Sequence, residues 1–460
     1  MKMRIKVLSL WILFSLVATA ANGGRWVIGY YPEWNYSLYP YDRIDYSQLT
    51  HICHAFVHPR SDGSIEYSPG LIVPGLIPTA HANHVKVLIS VGGWGYDDAF
   101  TALASNEKSR NRFIRELKDF ILLYGYDGAD IDWEYPDDKD EANCTALFLG
   151  LRAAFDQAGI TWLTAAVSSR VCHGIDYHVL CDKLDWFGVM TYDYHGAWTS
   201  HAGHVAPLYS SPLDSDGSMD QSRRDYTNIL PTEKICLGIP FYGYDFTADG
   251  LWQANTGSKT PSVPYRKINE YLASGYVRSW DEICRVPYLT NPDGAHIISY
   301  DDSLSVRLKS EYIDDHDLAG VIIWAIGFDY DSLTHRQPLL EIVGGRLIQG
   351  ESNGLNRMKT DHKDKELLPD IPPEPIPVSP NRRPNDFQPD SVIRFQLSTP
   401  TRVVIRLFDP AGREVAVILD MLSLPGDYEI NLNNYEVPAG IYHYRLQAGD
   451  YHETGSVKIQ

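Results

Sequence analysis

Eight short apolar runs, spread over residues 25–345 and separated by longer stretches, constrain this chain more than any other feature. They are Trp26–Tyr31, Leu49–Val57, Lys86–Ser90, Gly128–Trp133, Thr161–Val167, Trp186–Tyr192, Ile235–Pro240 and Gly320–Ala325. Short continuous apolar runs of this kind read as parallel strands buried on both faces. Helical patterns lie between several of them, as at Lys108–Ile121. Eight strand–helix units suit a (β/α)8 barrel, which needs about 250 residues plus insertions. The seventh and eighth runs are too far apart for one helix. Residues 246–296 carry their own helical pattern, Tyr265–Leu272, and short strand-like runs. They read as a small α+β insertion placed to wall one side of a cleft.

The chain is 460 residues long, which suggests two or three domains. After the barrel region, residues 351–386 are charged and then proline-rich, the composition of a stiff linker. Residues 387–460 alternate polar and apolar positions at Ser391–Leu397, Arg402–Phe408, Asp427–Leu432 and Gly440–Leu446. Turn signals at Asp409–Gly412 and Pro425–Asp427 separate some of these, so the segment reads as a β-sandwich. At the other end, a basic start, the apolar run Val7–Ala20 and the small residues Ala18-Thr19-Ala20 make residues 1–20 a signal peptide. A membrane anchor is the weaker reading, because a span needs about 20 apolar residues. The expected product is exported.

Net charge of −19 argues against nucleic acid, whose phosphates select basic grooves. The 11 Trp and 30 Tyr leave room for a sugar-stacking surface beyond the core. Six cysteines and an exported chain permit disulfides. Cys172 and Cys181 are close enough to pair across a loop, whereas Cys53 and Cys236 sit in apolar runs and read as buried thiols. His51 and His54 form H-x-x-H, but three positions apart on a strand they face opposite ways, so no metal site is expected there. No cofactor is implied.

The chemistry concentrates in the fourth run. Residues two apart on a strand share a face, so Asp130, Asp132 and Glu134 point one way while Ile131 and Trp133 point the other. The carboxylates are then stacked about 6–7 Å apart. Burying that much charge is costly unless protons are shared or partners supplied. A shared proton raises at least one apparent pKa and makes a general acid. Glu134 lies nearest the carboxyl end of the run, where barrel active sites are found. A solvated acidic loop or an oxygen-ligand calcium site is the competing reading, disfavoured by the apolar neighbours.

Asp127-x-x-Asp130-x-Asp132-x-Glu134 resembles the signature of family 18 glycoside hydrolases, the chitinases and their relatives. Ser90-Val-Gly-Gly93 with Trp94, Met190-Thr-Tyr-Asp193 with Tyr194-His-Gly196, Ile239–Gly243, Ile298–Asp302 and Trp324 resemble further motifs of that family in the same order. The likeness covers residues 25–345. It implies a retaining hydrolase of N-acetylglucosamine polymers, chitin first, with Glu134 as general acid and base. Such hydrolases are substrate-assisted. In that scheme the sugar's own acetamide oxygen attacks the anomeric carbon. Asp132 would orient the acetamide, Asp130 would hold Asp132 with Ser90 nearby, and Tyr192 would bond the acetamide oxygen. Asp193 and Met190 would contact the sugar and Trp324 would form the floor. Tyr30, Trp94, Trp198 and Tyr242 are candidates to line subsites by stacking, with core or rim packing as the competing role. Tyr244 stands where many members carry arginine.

The C-terminal segment resembles Ig-like C-terminal domains of exported bacterial proteins, including those used for sorting to the cell surface. Asp409–Arg413 and Pro438–Leu446 carry that likeness, and it implies export or sorting machinery as a partner. A carbohydrate-binding module is the rival, but no Trp follows Trp324. Two other functions compete with chitin hydrolysis: an endo-β-N-acetylglucosaminidase acting on N-glycans or peptidoglycan, and a non-catalytic chitin lectin. The presence of Glu134 argues against the lectin.

Overall fold

The computed structural model describes residues 24–257 and 260–349, and in the C-terminal part 387–388, 391–397, 401–409, 413–423, 426–432, 437–448 and 451–459. The expected signal peptide (1–20) and linker (351–386) lie outside the described residues.

In the N-terminal part, eight parallel strands close on themselves: β1 (Trp26–Pro32), β2 (His51–Pro59), β3 (Lys86–Gly92), β4 (Gly128–Asp132), β5 (Trp162–Ser168), β6 (Phe187–Met190), β7 (Ile235–Pro240) and β8 (Gly320–Trp324). β1 pairs with both β2 and β8, which completes the barrel. This is the (β/α)8 fold expected from the apolar runs. The strand limits differ in one place that matters. β4 stops at Asp132, so Glu134 is not a strand residue but begins the loop at the carboxyl end.

Strand alternation sorts the core into two layers. Val27, Tyr31, Val87 and Ile89 pack outward against helices, while Ile28, Tyr30, Leu88, Met190 and Tyr192 fill the barrel interior. The helix Glu107–Tyr124 shows how the outer layer is made. The Asn106 side chain accepts from the N–H groups of Lys108 and Ser109, a standard N-cap. Phe113, Ile114, Leu117, Phe120 and Ile121 form its buried stripe, and Gly125, at φ 81°, ends it.

His51 packs against Trp162 and Trp186 inside the barrel, whereas His54 bonds Tyr126 on the outer side, so the two do face opposite ways. Cys53 and Cys236 are fully buried in the interior as free thiols. The expected Cys172–Cys181 disulfide is absent. Both are free, and the Cys172 thiol donates to the Pro136 carbonyl at 2.8 Å, turned toward the loop after β4.

Between β7 and β8 lies an antiparallel sheet in the order Ser262–Pro264, Tyr242–Thr247, His296–Ser299, Val286–Thr290, Val277–Asp281. The helix Ile268–Ala273 accompanies it. The sheet is wider than residues 246–296 because only Phe241 separates β7 from its first strand, and the sequence pattern runs through without a break.

The second part forms two sheets around one apolar cluster that includes Ile393, Phe395, Val403, Ile405, Leu407, Leu446 and Val457. The four strands expected there are present. Two more, Glu414–Ser423 and Tyr451–Ile459, complete the larger sheet. Among the described residues no helix is long and apolar enough to cross a membrane.

Candidate active site

Parallel register sets the first contacts of the site. Ser90 on β3 and Thr164 on β5 both lie level with Asp130 on β4. Asp130 is fully buried and accepts three hydroxyl bonds: Tyr30 at 2.8 Å and Ser90 at 3.2 Å on one oxygen, Thr164 at 2.6 Å on the other. Burial raises its pKa, and the three hydroxyls work against that rise. One pleat further on, Asp132 turns to Glu134, and the two side chains share a hydrogen bond. The other Asp132 oxygen, Oδ1, is buried with no partner among the described residues.

Burial, then the charges of Glu134 and Asp130, drive Asp132 well above the usual carboxylate range. Burial, then the charge of Asp193, pushes Glu134 up to about 7. Two carboxyl groups in contact without an opposing cation cannot both ionise readily, so the pair holds a proton near neutrality. Such a pair can deliver that proton and take it back. Its unpartnered oxygen can accept a bond from an amide N–H.

Asp193 follows β6 in the left-handed backbone region, at φ 59°. It is buried, accepts from the Tyr242 hydroxyl at 2.5 Å and from Tyr244, and burial raises its pKa to about 6. Tyr192 lies beside it in the barrel interior, edge-on to Tyr242 at 6.2 Å. Met190, the last residue of β6, is buried in the same layer.

An aromatic floor closes the barrel mouth. Trp324, at the end of β8, stacks on Phe56 at 5.7 Å and packs at 5.7 Å against Tyr30 and 6.1 Å against Trp34. Trp34, Trp94 and Trp198 stand on loops after β1, β3 and β6 and are 60%, 80% and 60% exposed. Exposed indoles at the carboxyl end of a barrel are available to cover sugar faces.

Of the two roles open to Tyr30 and Tyr242, stacking in a subsite or core packing, their burial favours packing. Both are buried, and their hydroxyls hold Asp130 and Asp193. Tyr30 has the inward parity of β1, which places its ring under the floor. The sequence reading also missed Thr164, Trp34 and Phe56, and it missed the bond from Tyr244 to Asp193. Trp34, in Pro32-Glu33-Trp34, was visible as a tryptophan beyond a strand end. A lone threonine inside an apolar run carried no signal.

A closed parallel barrel with protonatable carboxyl groups over an aromatic floor suits an enzyme that works by proton transfer. The chain belongs to Glycosyl hydrolases family 18, whose sequence profile matches residues 26–329. It is 27% identical over 407 residues to chitinase A1 of Niallia circulans, covering 68% of this chain and 57% of that protein. It is 29% identical to the endochitinase of Manduca sexta, covering 74% and 71%. Among solved structures, the group IV chitinase of Ostrinia furnacalis bound to allosamidin superposes with a TM-score of 0.67 at 28% identity, over 71% of this chain and all of that one (100%). A family 18 N-acetylglucosaminidase from Paenibacillus barengoltzii superposes with a TM-score of 0.63 at 32% identity, over 70% and 99%. The chain thus spans just over half the length of the Niallia circulans relative.

Proposed function

We propose that this protein hydrolyses β-1,4-linked N-acetylglucosamine polymers, chitin first among them, with retention of anomeric configuration. The observation that carries the reading is the hydrogen-bonded Asp132–Glu134 pair, both raised first by burial, Asp132 then by the charge of Glu134 and Glu134 by that of Asp193, with Asp132 Oδ1 left open beside it. Glu134 protonates the glycosidic oxygen as the bond to the anomeric carbon breaks. The acetamide oxygen of the same sugar closes onto that carbon and forms an oxazolinium ion. Asp132 accepts the acetamide N–H and balances the positive charge. Water then attacks the anomeric carbon, Glu134 takes its proton, and the ring opens to the retained product. Tyr192 and Asp193 position the acetamide and the distorted ring, and Trp324 supplies the apolar floor.

Similarity to chitinases and the insertion wall beside the cleft support a polymer as substrate. The 32% identity to an N-acetylglucosaminidase supports a second reading, release of single sugars from chain ends. The apolar leader at 1–20 supports export, and the C-terminal sheets are consistent with a sorting or spacer module. Fractionating cells that express the full chain or a chain cut after residue 350 separates surface attachment from free release.

The decisive experiment is a fluorogenic chitooligosaccharide assay on wild type and Glu134→Gln, with products resolved by length and by anomer. Binding without turnover by wild type would remove the hydrolase reading. Turnover confined to glycoproteins would move the substrate to N-glycans. An inverted first product would remove substrate assistance, and a thiazoline mimic of the intermediate is expected to inhibit.

A further inference from the structure

The segment between β6 and the helix Met219–Thr227 folds back on itself and brings four side chains together: His195, His201, Asp214 and Asp216. His195 Nε2 lies 3.1 Å from His201 Nε2, 3.4 Å from Asp214 Oδ1 and 3.2 Å from Asp216 Oδ2. His201 Nε2 lies 3.6 and 4.0 Å from the same two oxygens. Tetrahedral zinc with bonds of about 2.0–2.1 Å holds its ligand atoms about 3.3 Å apart. The five separations bracket that value.

The surroundings favour a metal over a network of ion pairs. His195 Nδ1 sits 2.9 Å from the His204 carbonyl oxygen and must donate to it. In the neutral ring that places the lone pair on Nε2, the usual arrangement behind a metal-bound imidazole. The lone pair faces another imidazole nitrogen and two carboxylate oxygens. His201 can donate only one proton into that space, and the Asp216 N–H donates to Asp214 Oδ1 at 3.3 Å, which leaves Asp216 Oδ2 facing the lone pair at 3.2 Å. A dication satisfies all four atoms and cancels both carboxylate charges. The His195 side chain is fully buried and that of Asp214 is 4% exposed, while His201 and Asp216 are each 32% exposed, so water reaches the cluster from one side only. Trp252 meets the His195 ring edge-on, and a Cβ on Gly203 would come within 2.3 Å of it, so the ring is held in place. Arg170 approaches the outer oxygen of Asp216 at 3.6 Å and leaves the inner one to the cluster.

We propose that His195, His201, Asp214 and Asp216 bind one zinc ion in a closed tetrahedral site. Two imidazoles and two carboxylates suit zinc among common divalent ions, and four protein ligands leave no position for a reacting water. The role is structural. The ion ties together the loop that also carries Asp193 and Trp198, so its loss should loosen sugar binding more than it slows chemistry.

The test uses the full chain, equilibrated with zinc chloride, desalted and assayed for metal per chain. Wild type is compared with His201→Ala and Asp216→Asn. The expected result is one zinc in wild type, bound at least about 100-fold more weakly in His201→Ala, beyond the 10–100-fold typical of losing only a supporting neighbour. A chelator should lower the Tm of wild type and leave that of the variant unmoved. Cobalt(II) should give the intense visible bands of a tetrahedral complex. Equal zinc affinity in wild type and both variants would overturn the proposal, as would a wild-type Tm indifferent to zinc and chelator. Asp216 is partly exposed, so its variant keeps the test open if His201→Ala does not fold.

Discussion

The barrel unit buries carboxyl groups in two ways. At the mouth, Asp132 and Glu134 lean on each other; burial raises both, helped by the charge of Glu134 at Asp132 and by that of Asp193 at Glu134. Beyond the insertion, Asp301 is as deeply buried but faces Lys309, whose ammonium lies 2.6 Å from each of its oxygens and donates also to the Ala206 carbonyl at 2.5 Å. Desolvation acts on all of them alike. The difference is the cation. Burial raises Asp301 and lowers Lys309, but the charge and hydrogen bonds of each oppose the shift of the other. The mouth has no such cation, and its carboxyl pair must hold a proton that a substrate can take. A buried ion pair is architecture, whereas a buried pair of like groups is a reagent.

The strongest way to break this comparison is to remove the movable proton. Glu134→Gln keeps the shape and abolishes the acid, and kcat should fall by about 10²–10⁴-fold, the usual worth of a placed general acid. Steady-state kinetics with a chitooligosaccharide checks it, and retained activity would mean the proton comes from elsewhere. Next in size is Lys309→Met, which strands Asp301 without its cation. Removing one partner of a buried pair costs about 3–5 kcal/mol, so the denaturant midpoint should drop sharply. The kcat per folded molecule should stay near wild type. Equal losses of stability from the two substitutions would erase the distinction between reagent and architecture.

Thr164→Val probes the ground between them. Thr164 neither reacts nor carries charge, but among the described residues its hydroxyl is the one donor to Asp130 Oδ1, at 2.6 Å. Losing it leaves a buried acceptor unsatisfied, worth about 1–3 kcal/mol. It also removes an influence that lowers the Asp130 pKa. A change in kcat of about tenfold is expected, with a displaced alkaline limb of the pH–rate profile, and Thr164→Ser should restore both. A loss of stability with an unmoved pH profile would reduce Thr164 to packing.

The same contrast explains what was legible in the sequence. The barrel could be read because eight uniformly apolar runs have few other homes. Asp130, Asp132 and Glu134 could be read because strand parity puts them on one side. Of the partners contributed by other strands, family resemblance reaches Ser90 alone. Tyr30, Thr164 and Asp130 meet only through the register of β1, β4 and β5, and register is invisible in one chain's local pattern. That is why stacking and core packing stay open for Tyr30 in the sequence. The end of β4 at Asp132 was missed because Trp133 continues the apolar run while serving the outer layer, where it stacks on Phe100. The His195 cluster joins residues as far apart as 195 and 216 through a loop with no periodicity at all.

The smallest expected effect is on stability, and it tests whether the mouth is strained by its own charge. In the folded chain Glu134 is raised from 4.5 to about 7. The folded state therefore holds a proton that the unfolded state has released between those values. Its contribution to stability is complete below about 4.5 and is lost as pH rises through about 7. Asp193, raised to about 6, adds in the same direction. Wild type should lose on the order of 1 kcal/mol between pH 5 and pH 8, less than a full shift would give at 1.36 kcal/mol per unit, because the pair titrates together. In Glu134→Gln the loss should shrink, leaving the variant at least as stable as wild type at pH 8. Calorimetric Tm values at the two pH values decide it. Parallel pH dependence in the two proteins would mean that the Glu134 charge is already well accommodated at the mouth.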